Sequence, residues 1–220
     1  MILSCWYQKL LHWIAPPYCM KCKRFIDERI GLCKVCLRDV NPIASTVLDI
    51  TRLVNMKVFA ISKYEDPIRS LILKKSWGDI SASVALGNLM WQLTDTAHVP
   101  FDCVIPVPLH WRRYAWRGYN QSEEMARVIA DISGRPLLNV VRRTKYGPFQ
   151  AHIKAKDRHG NVRDSFELCD GAKQALANKH VLLVDDLMTT GATLRSVARL
   201  LLFSGARGVR VTAVVASRTG

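Results

Sequence analysis

Acidic side chains and long apolar runs are what this chain has least of. Asp and Glu number 18 against 32 Lys and Arg in 220 residues, a formal net charge of +14. Such an excess is compatible with a plain cationic surface. It also fits a polyanionic partner, either nucleic acid or a ligand with several phosphates. No stretch approaches the ~20 apolar residues that a bilayer-spanning helix needs, so no helical membrane span is expected. No Gly-Lys-Thr follows a strand pattern, which excludes a Walker A loop, and the lack of Gly-x-Gly-x-x-Gly excludes the dinucleotide fingerprint. Internal repeats and low-complexity tracts are also missing, so the chain is neither disordered nor collagen-like.

What is present is an ordinary globular composition, 49% apolar and 23% charged, enough for a real core. The length fits one full domain with a small appendage. Within Met1–Ala15, residues Leu3, Trp6, Tyr7, Leu10, Leu11 and Ile14 recur at helical spacing. This predicts an amphipathic helix docked on the protein's own domain, because its polar face has too few cations for a membrane anchor. The segment has no small-residue cleavage site, and the chain is read as cytoplasmic.

Four of the seven cysteines form Cys19-x-x-Cys22 and Cys33-x-x-Cys36, with ten residues between the pairs. A two-residue gap lets both thiolates of a pair turn toward one point, and two such knuckles complete a tetrahedron around Zn²⁺. Gly31 sits where the second knuckle needs a tight turn. The segment is too short to bury a core of its own, so a metal would stabilise it. Disulfides are not expected without a secretion signal, whereas iron held by four thiolates fits the same spacing. The role read here is structural zinc, since four thiolates leave no open coordination position. Cys5, Cys103 and Cys169 have no partner by spacing. Residues 1–45 are therefore read as an amphipathic helix with a four-cysteine zinc module, and 38–55 as the link to a second unit, 56–220.

From Met56 the pattern changes to alternating strands and helices. Strands are predicted at Met56–Tyr64, Cys103–Val107 (ended by Pro106 and Pro108), Val181–Val184 and Val209–Val215. Helices are predicted after Asp66-Pro67, over Ser81–Leu93, from Asn120 to about Ile132, and over Thr193–Phe203. Asn120 and Glu123 have capping-box spacing. The alternation argues for an α/β fold, a mainly parallel sheet flanked by helices.

The most informative segment is Val181-Leu-Leu-Val-Asp-Asp-Leu-Met-Thr-Thr-Gly-Ala-Thr193. A buried strand delivers Asp185 and Asp186 to its end, and the chain then turns into a helix. Ligands of open α/β sheets bind in that crevice. Gly191 permits close approach of backbone, and free N–H groups at the helix start attract a phosphate. Carboxylates beside a phosphate cradle would repel a bare polyphosphate, but they suit sugar hydroxyls, directly or through a divalent cation. The chemistry points to a ribose 5-phosphate end and away from a nucleoside triphosphate.

Residues 181–193 resemble, at every position, the 5-phosphoribosyl-1-pyrophosphate (PRPP) signature of type I phosphoribosyltransferases. The resemblance implies that Asp185 and Asp186 contact the ribose hydroxyls. It also implies that Leu187, Met188, Thr189, Thr190, Gly191, Ala192 and Thr193 form the loop around the 5′-phosphate, with Mg²⁺ accompanying PRPP. The block Pro106-Val-Pro-Leu-His110, Arg112, Arg113, Arg117 and Gly118-Tyr-Asn-Gln121 resembles the ComF/GntX family of competence-associated phosphoribosyltransferase-like proteins. Gln150, Arg158, Asn161 and the paired Cys knuckles strengthen that likeness, which runs from Cys19 to the C-terminus. The family's usual Arg-Gly-Phe-Asn-Gln has Tyr119 here, which keeps the aromatic ring.

Pyrophosphate needs cations at the mouth of the site, and Arg117 is the one assigned there, with Asp185 and Asp186 as the other catalytic candidates. A second basic stretch from Arg142 to Arg163 lies where this fold carries a loop over the site. Neither His110 nor His152 is assigned as a general base. Two readings follow from the resemblance. One is a PRPP-using glycosyltransferase that serves DNA uptake in transformation. The other is a non-catalytic protein of the competence machinery, binding single-stranded DNA or other competence proteins.

Overall fold

A computed structural model describes residues 18–26, 31–76, 79–109, 114, 118–144 and 166–219. The predicted Met1–Ala15 helix, Cys5, His110–Arg113, Arg117 and residues 145–165 lie outside the described residues. So do Gln150, His152, Arg158, Asn161 and Arg163.

The chain runs α1 (Lys34–Arg38), β1 (Thr46–Asp49), β2 (Asn55–Lys63), α2 (Ile68–Ser76), α3 (Ile80–Leu93) and β3 (Cys103–Pro106). It continues with α4 (Gln121–Ser133), β4 (Val141–Arg143), β5 (Phe166–Leu168), α5 (Ala172–Leu176), β6 (His180–Met188), α6 (Ala192–Leu202) and β7 (Arg210–Arg218). The main sheet has the order β1-β2-β7-β6-β3. β2, β7, β6 and β3 are parallel, and β1 adds an antiparallel edge. The mainly parallel sheet is as expected. β1 is new, and lies inside the stretch read as a link. So is the small β4–β5 pair, Val141 opposite Leu168.

The two-residue period of a strand divides the apolar side chains between two cores. On one face Leu182 and Val184 of β6 join Phe59, Ile61, Val214 and Ala216 under α2, α3 and α4. On the other, Val181 and Leu183 join Val58, Ala213 and Val215 under α5 and α6. A strand covered on both faces reads as a continuous apolar run, as Val181–Val184 does.

The cysteine module has no core of its own. Cys19, Met20, Leu32, Cys33, Cys36 and Val40 are buried in the same cluster as α2, α3 and α4. Gly31 has φ +93°, and a Cβ there would run into Ala85 of α3. The Lys74 ammonium of α2 donates to the Met20 carbonyl, and burial holds its pKa below that of an ordinary lysine. Knuckle and helices are thus joined by packing and by a polar tie.

Helix starts follow local chemistry. The Asp79 carboxylate accepts from Ser81 and Ala82 N–H at the head of α3, and Asn120 Oδ1 accepts from Ser122 N–H at the head of α4. The reciprocal arm of the expected capping box does not form. Glu123 directs its carboxylate to Arg127 and Asn139, each at 3.2 Å. Gly134, at φ +66°, ends α4 in the left-handed conformation typical of helix C-termini.

Candidate functional site: an open strand edge, a threonine loop and a cysteine cluster

β6 is longer than the apolar run predicted. Its ladder with β7 continues past Val184 through Asp185 opposite Val215 to Met188 opposite Arg218. On its other side, β3 accompanies it only as far as Pro106 opposite Val184, with one more bond from Val107 N–H to the Val184 carbonyl. Asp185 and Asp186 therefore lie within a strand whose β3 side opens where they begin. That opening is the crevice that the strand–loop–helix pattern predicts. β3 ends at Pro106, in keeping with the expected stop at Pro106 and Pro108. By strand alternation Pro106 shares the orientation of Val104, whose N–H points outward to the Pro136 carbonyl.

The N-terminus of α4 closes the crevice from the side. Asn120 Nδ2 donates to the Val107 carbonyl at 3.2 Å, and Asn120 Oδ1 takes the Ser122 N–H, so one side chain pins the helix to the end of β3. This holds Ser122 Oγ 3.1 Å from Asp185 Oδ1, which also accepts the Asp186 N–H at 2.9 Å. Asp185 is 8% exposed and Asp186 is half-buried. Sequence reasoning missed Ser122. It is 63 residues from Asp185, and its only local sign was its place beside an N-cap asparagine.

The loop after β6 and the first turn of α6 form a pocket lined by Asp185 and by Leu187 through Leu194. Of the residues assigned to PRPP, the structure gathers Asp185, Leu187, Met188, Thr189, Thr190, Gly191, Ala192 and Thr193 there. Asp186 is the next residue on the strand, and Arg117 lies outside the described residues. Gly191, at φ +71°, is the N-cap and brings no side chain to cap the first turn. A partial positive charge at that turn favours an anion. Gly191 has a second reason to be glycine, because a Cβ would sit 2.7 Å from Leu48 Cδ1. The close approach is to the edge strand β1, a neighbour that the sequence reading did not supply.

At the other site, the four Sγ atoms of Cys19, Cys22, Cys33 and Cys36 all lie within 4.8 Å of one another, and Cys22 Sγ is 3.6 Å from Cys33 Sγ. A tetrahedron with Zn–S near 2.3 Å has S···S edges of about 3.8 Å, so the cluster fits a four-thiolate metal centre. None of these cysteines is in a disulfide. The thiols are electrostatically unequal. Burial pushes Cys19 up, but N–H groups of Cys22, Cys33 and Lys21 outweigh it and bring the pKa to about 6. Burial and the neighbouring sulfurs push Cys36 up to about 12. A cation relieves that crowding, because it binds thiolates and releases their protons. Of the other cysteines described, Cys103 is buried, which raises its pKa to about 11, and Cys169 is half-buried. No helix among the described residues is long and apolar enough to cross a membrane.

Comparison with known proteins agrees with this architecture. The family model for the phosphoribosyl transferase domain matches residues 92–220, from the end of α3 through β7. The chain is 28% identical over 223 residues to DNA utilization protein YhgH of Salmonella typhimurium, covering 94% of each. It is 31% identical over 163 residues to competence protein F of Haemophilus influenzae, covering 70% of each. With competence protein ComFC of Bacillus subtilis it shares 29% identity over 102 residues, 46% of this chain and 39% of that one. The fold and site define a type I phosphoribosyltransferase-like domain carrying a cysteine cluster that can hold a metal. Within that class, the chain belongs to the ComF family.

Proposed function

We propose that the crevice binds PRPP or ribose 5-phosphate with Mg²⁺, and that this binding serves DNA uptake for transformation. The carrying observation is the fixed Asp185 carboxylate beside the threonine loop that opens into α6. Asp185 and Asp186 accept hydrogen bonds from the ribose hydroxyls, and the loop from Leu187 to Thr193 takes the 5′-phosphate. Arg117 meets the pyrophosphate, whose charge Mg²⁺ offsets. Zn²⁺ in the cluster of Cys19, Cys22, Cys33 and Cys36 is structural. The link to DNA is supported by the names of the relatives, one a DNA utilization protein and two competence proteins.

Calorimetric titration with PRPP, with and without Mg²⁺, tests this reading. Saturable Mg²⁺-dependent binding is expected, falling at least about tenfold in Asp185→Asn/Asp186→Asn, in line with the loss of charge-assisted hydrogen bonds. No binding by the unaltered protein would sink the reading. The second one would then stand, in which the fold acts without turnover as a single-stranded-DNA-binding or scaffold protein, supported by the net charge of +14.

A further inference from the structure

We propose that the groove between α6 and the turn joining β1 to β2 is a docking site for an acidic peptide segment of a partner protein. Arg52 and Arg199, flanked by Arg195, take its carboxylates, and Leu200 and Phe203 take an apolar side chain beside them. The groove shares no residue with the ribose-phosphate crevice, so the two readings fail separately.

Helical spacing puts Arg195, Ser196, Arg199, Leu200 and the C-cap Phe203 along one side of α6. Across from them, Thr51 Oγ1 accepts the N–H groups of Leu53 and Val54 at 3.2 and 3.1 Å, which fixes the turn that presents Arg52. Thr51, Arg52, Ser196, Arg199, Leu200 and Phe203 line an open groove of about 600 Å³. Arg195 Nε donates to the Asp49 carbonyl at 2.7 Å, and Arg199 Nε donates to the Ile50 carbonyl at 2.6 Å. Each guanidinium is thus held by one nitrogen, and no described residue accepts from its terminal nitrogens. Among the described residues Arg52, Arg195 and Arg199 form no ion pair. Asp49 is the only acid in 49–53 and 192–207. Phe203 is left 63% exposed.

Arg199 alone would need no partner, because a cation in the last turn complements the helix dipole. That does not account for Arg52, nor for a phenylalanine facing water beside it. A guanidinium fixed at Nε presents its outer fork already oriented, which suits a planar carboxylate. The cations lining the groove are all arginine, and arginine with an aromatic is the composition of protein-binding hot spots, where lysine is scarce. A nucleic-acid strand follows a row of rings and cations, whereas this groove offers one ring. A small anion would stay largely in water in so open a groove, unlike a ligand in a closed pocket.

Fluorescence anisotropy of the full-length protein with a labelled octapeptide of Asp and Glu, carrying one Leu and one Phe, tests this at low salt. Saturable binding is expected, and none to the same peptide with Asn and Gln in place of its acids. Arg52→Glu should weaken binding at least about tenfold, the loss of a charge-assisted hydrogen bond. Phe203→Ala should cost about fivefold or more. Arg199→Lys keeps the charge but not the fork, and should weaken binding too. Arg52 and Phe203 are exposed, so both variants should keep the melting temperature of the unaltered protein. Lys34→Glu, an exposed cation on α1, should leave the affinity nearly unchanged. A loss there equal to that of Arg52→Glu would mean that only net charge is at work, and overturns the proposal. So does absence of binding, or equal affinity in Arg52→Glu, Phe203→Ala and the unaltered protein. Oligothymidine bound through Arg52 and Phe203 without peptide binding would assign the groove to nucleic acid and likewise overturn it.

Discussion

The knuckle and the crevice solve the same problem, holding chemically active side chains at fixed positions, by opposite means. In the knuckle four sulfurs come from two short local turns, and the rest of the fold does no more than support them from beneath through Ala85 under Gly31 and through Lys74. In the crevice, Asp185 owes its environment to distant segments. Its partner Ser122 arrives on α4, pinned by Asn120 to the end of β3, and the floor under Gly191 comes from Leu48 on β1. A site made of local turns depends on its ligand to stay assembled. A site made of long-range packing depends on the rest of the fold.

The largest effect should come from breaking the knuckle. Cys33→Ser leaves three thiols of the four that can hold a metal, and elemental analysis should find roughly one equivalent of zinc in the unaltered protein and none in the variant. Stability should fall by about 3 kcal/mol or more, roughly 6–12 °C in melting temperature for a domain of this size. A protein that keeps its metal and its melting temperature would show that the two regions do not differ in this way.

Gly191→Ala probes the crevice through its floor. Alanine at φ +71° is strained and its Cβ meets Leu48, so a loss of about 1–3 kcal/mol is expected from thermal unfolding. Leu48→Ala in the same chain should recover the part of that loss due to the clash and leave the backbone part. If the double variant is no better than Gly191→Ala, Leu48 is not the floor.

Ser122→Ala is the smallest and sharpest of the three. It should lower PRPP affinity about fivefold, the ~1 kcal/mol of a typical single hydrogen bond, and cost a few degrees of melting temperature at most. In an Asp185→Asn background the same change should cost nothing further, because its partner charge is gone. Additive losses would mean that Ser122 acts on something other than Asp185.

The difference between the regions also explains what was legible in the sequence. The Cys pairs and residues 181–193 could be read because each pattern is complete within a short stretch. The alternation behind the mainly parallel sheet is equally local. β1 is hard to read because Thr46–Asp49 offers only four residues of half-exposed alternation. The end of β6 falls later than the apolar run suggests because aspartate is depleted in strands, and here two of them continue the ladder. Ser122 and Leu48 were illegible because their importance lies in what faces them across the fold. Of the capping box, the Asn120 half was legible and correct, and only the reciprocal arm from Glu123 is missing. Arg127 and Asn139 compete for the glutamate, and Asn139 enters only when the chain returns.

The outer margin of β3 bears on how the molecule behaves in a crowd. A crevice at a half-paired strand lies next to the margin of the sheet, where a further strand could join and bring its own chain along. Val104 already gives its N–H to the Pro136 carbonyl and takes the Leu138 N–H, and the next outward position, Pro106, puts a ring where a strand would look for a donor. They leave the ligand's side of β6 untouched and make the outer side a poor template. The sheet margin beside the crevice thus gives a second copy of the chain little to pair with.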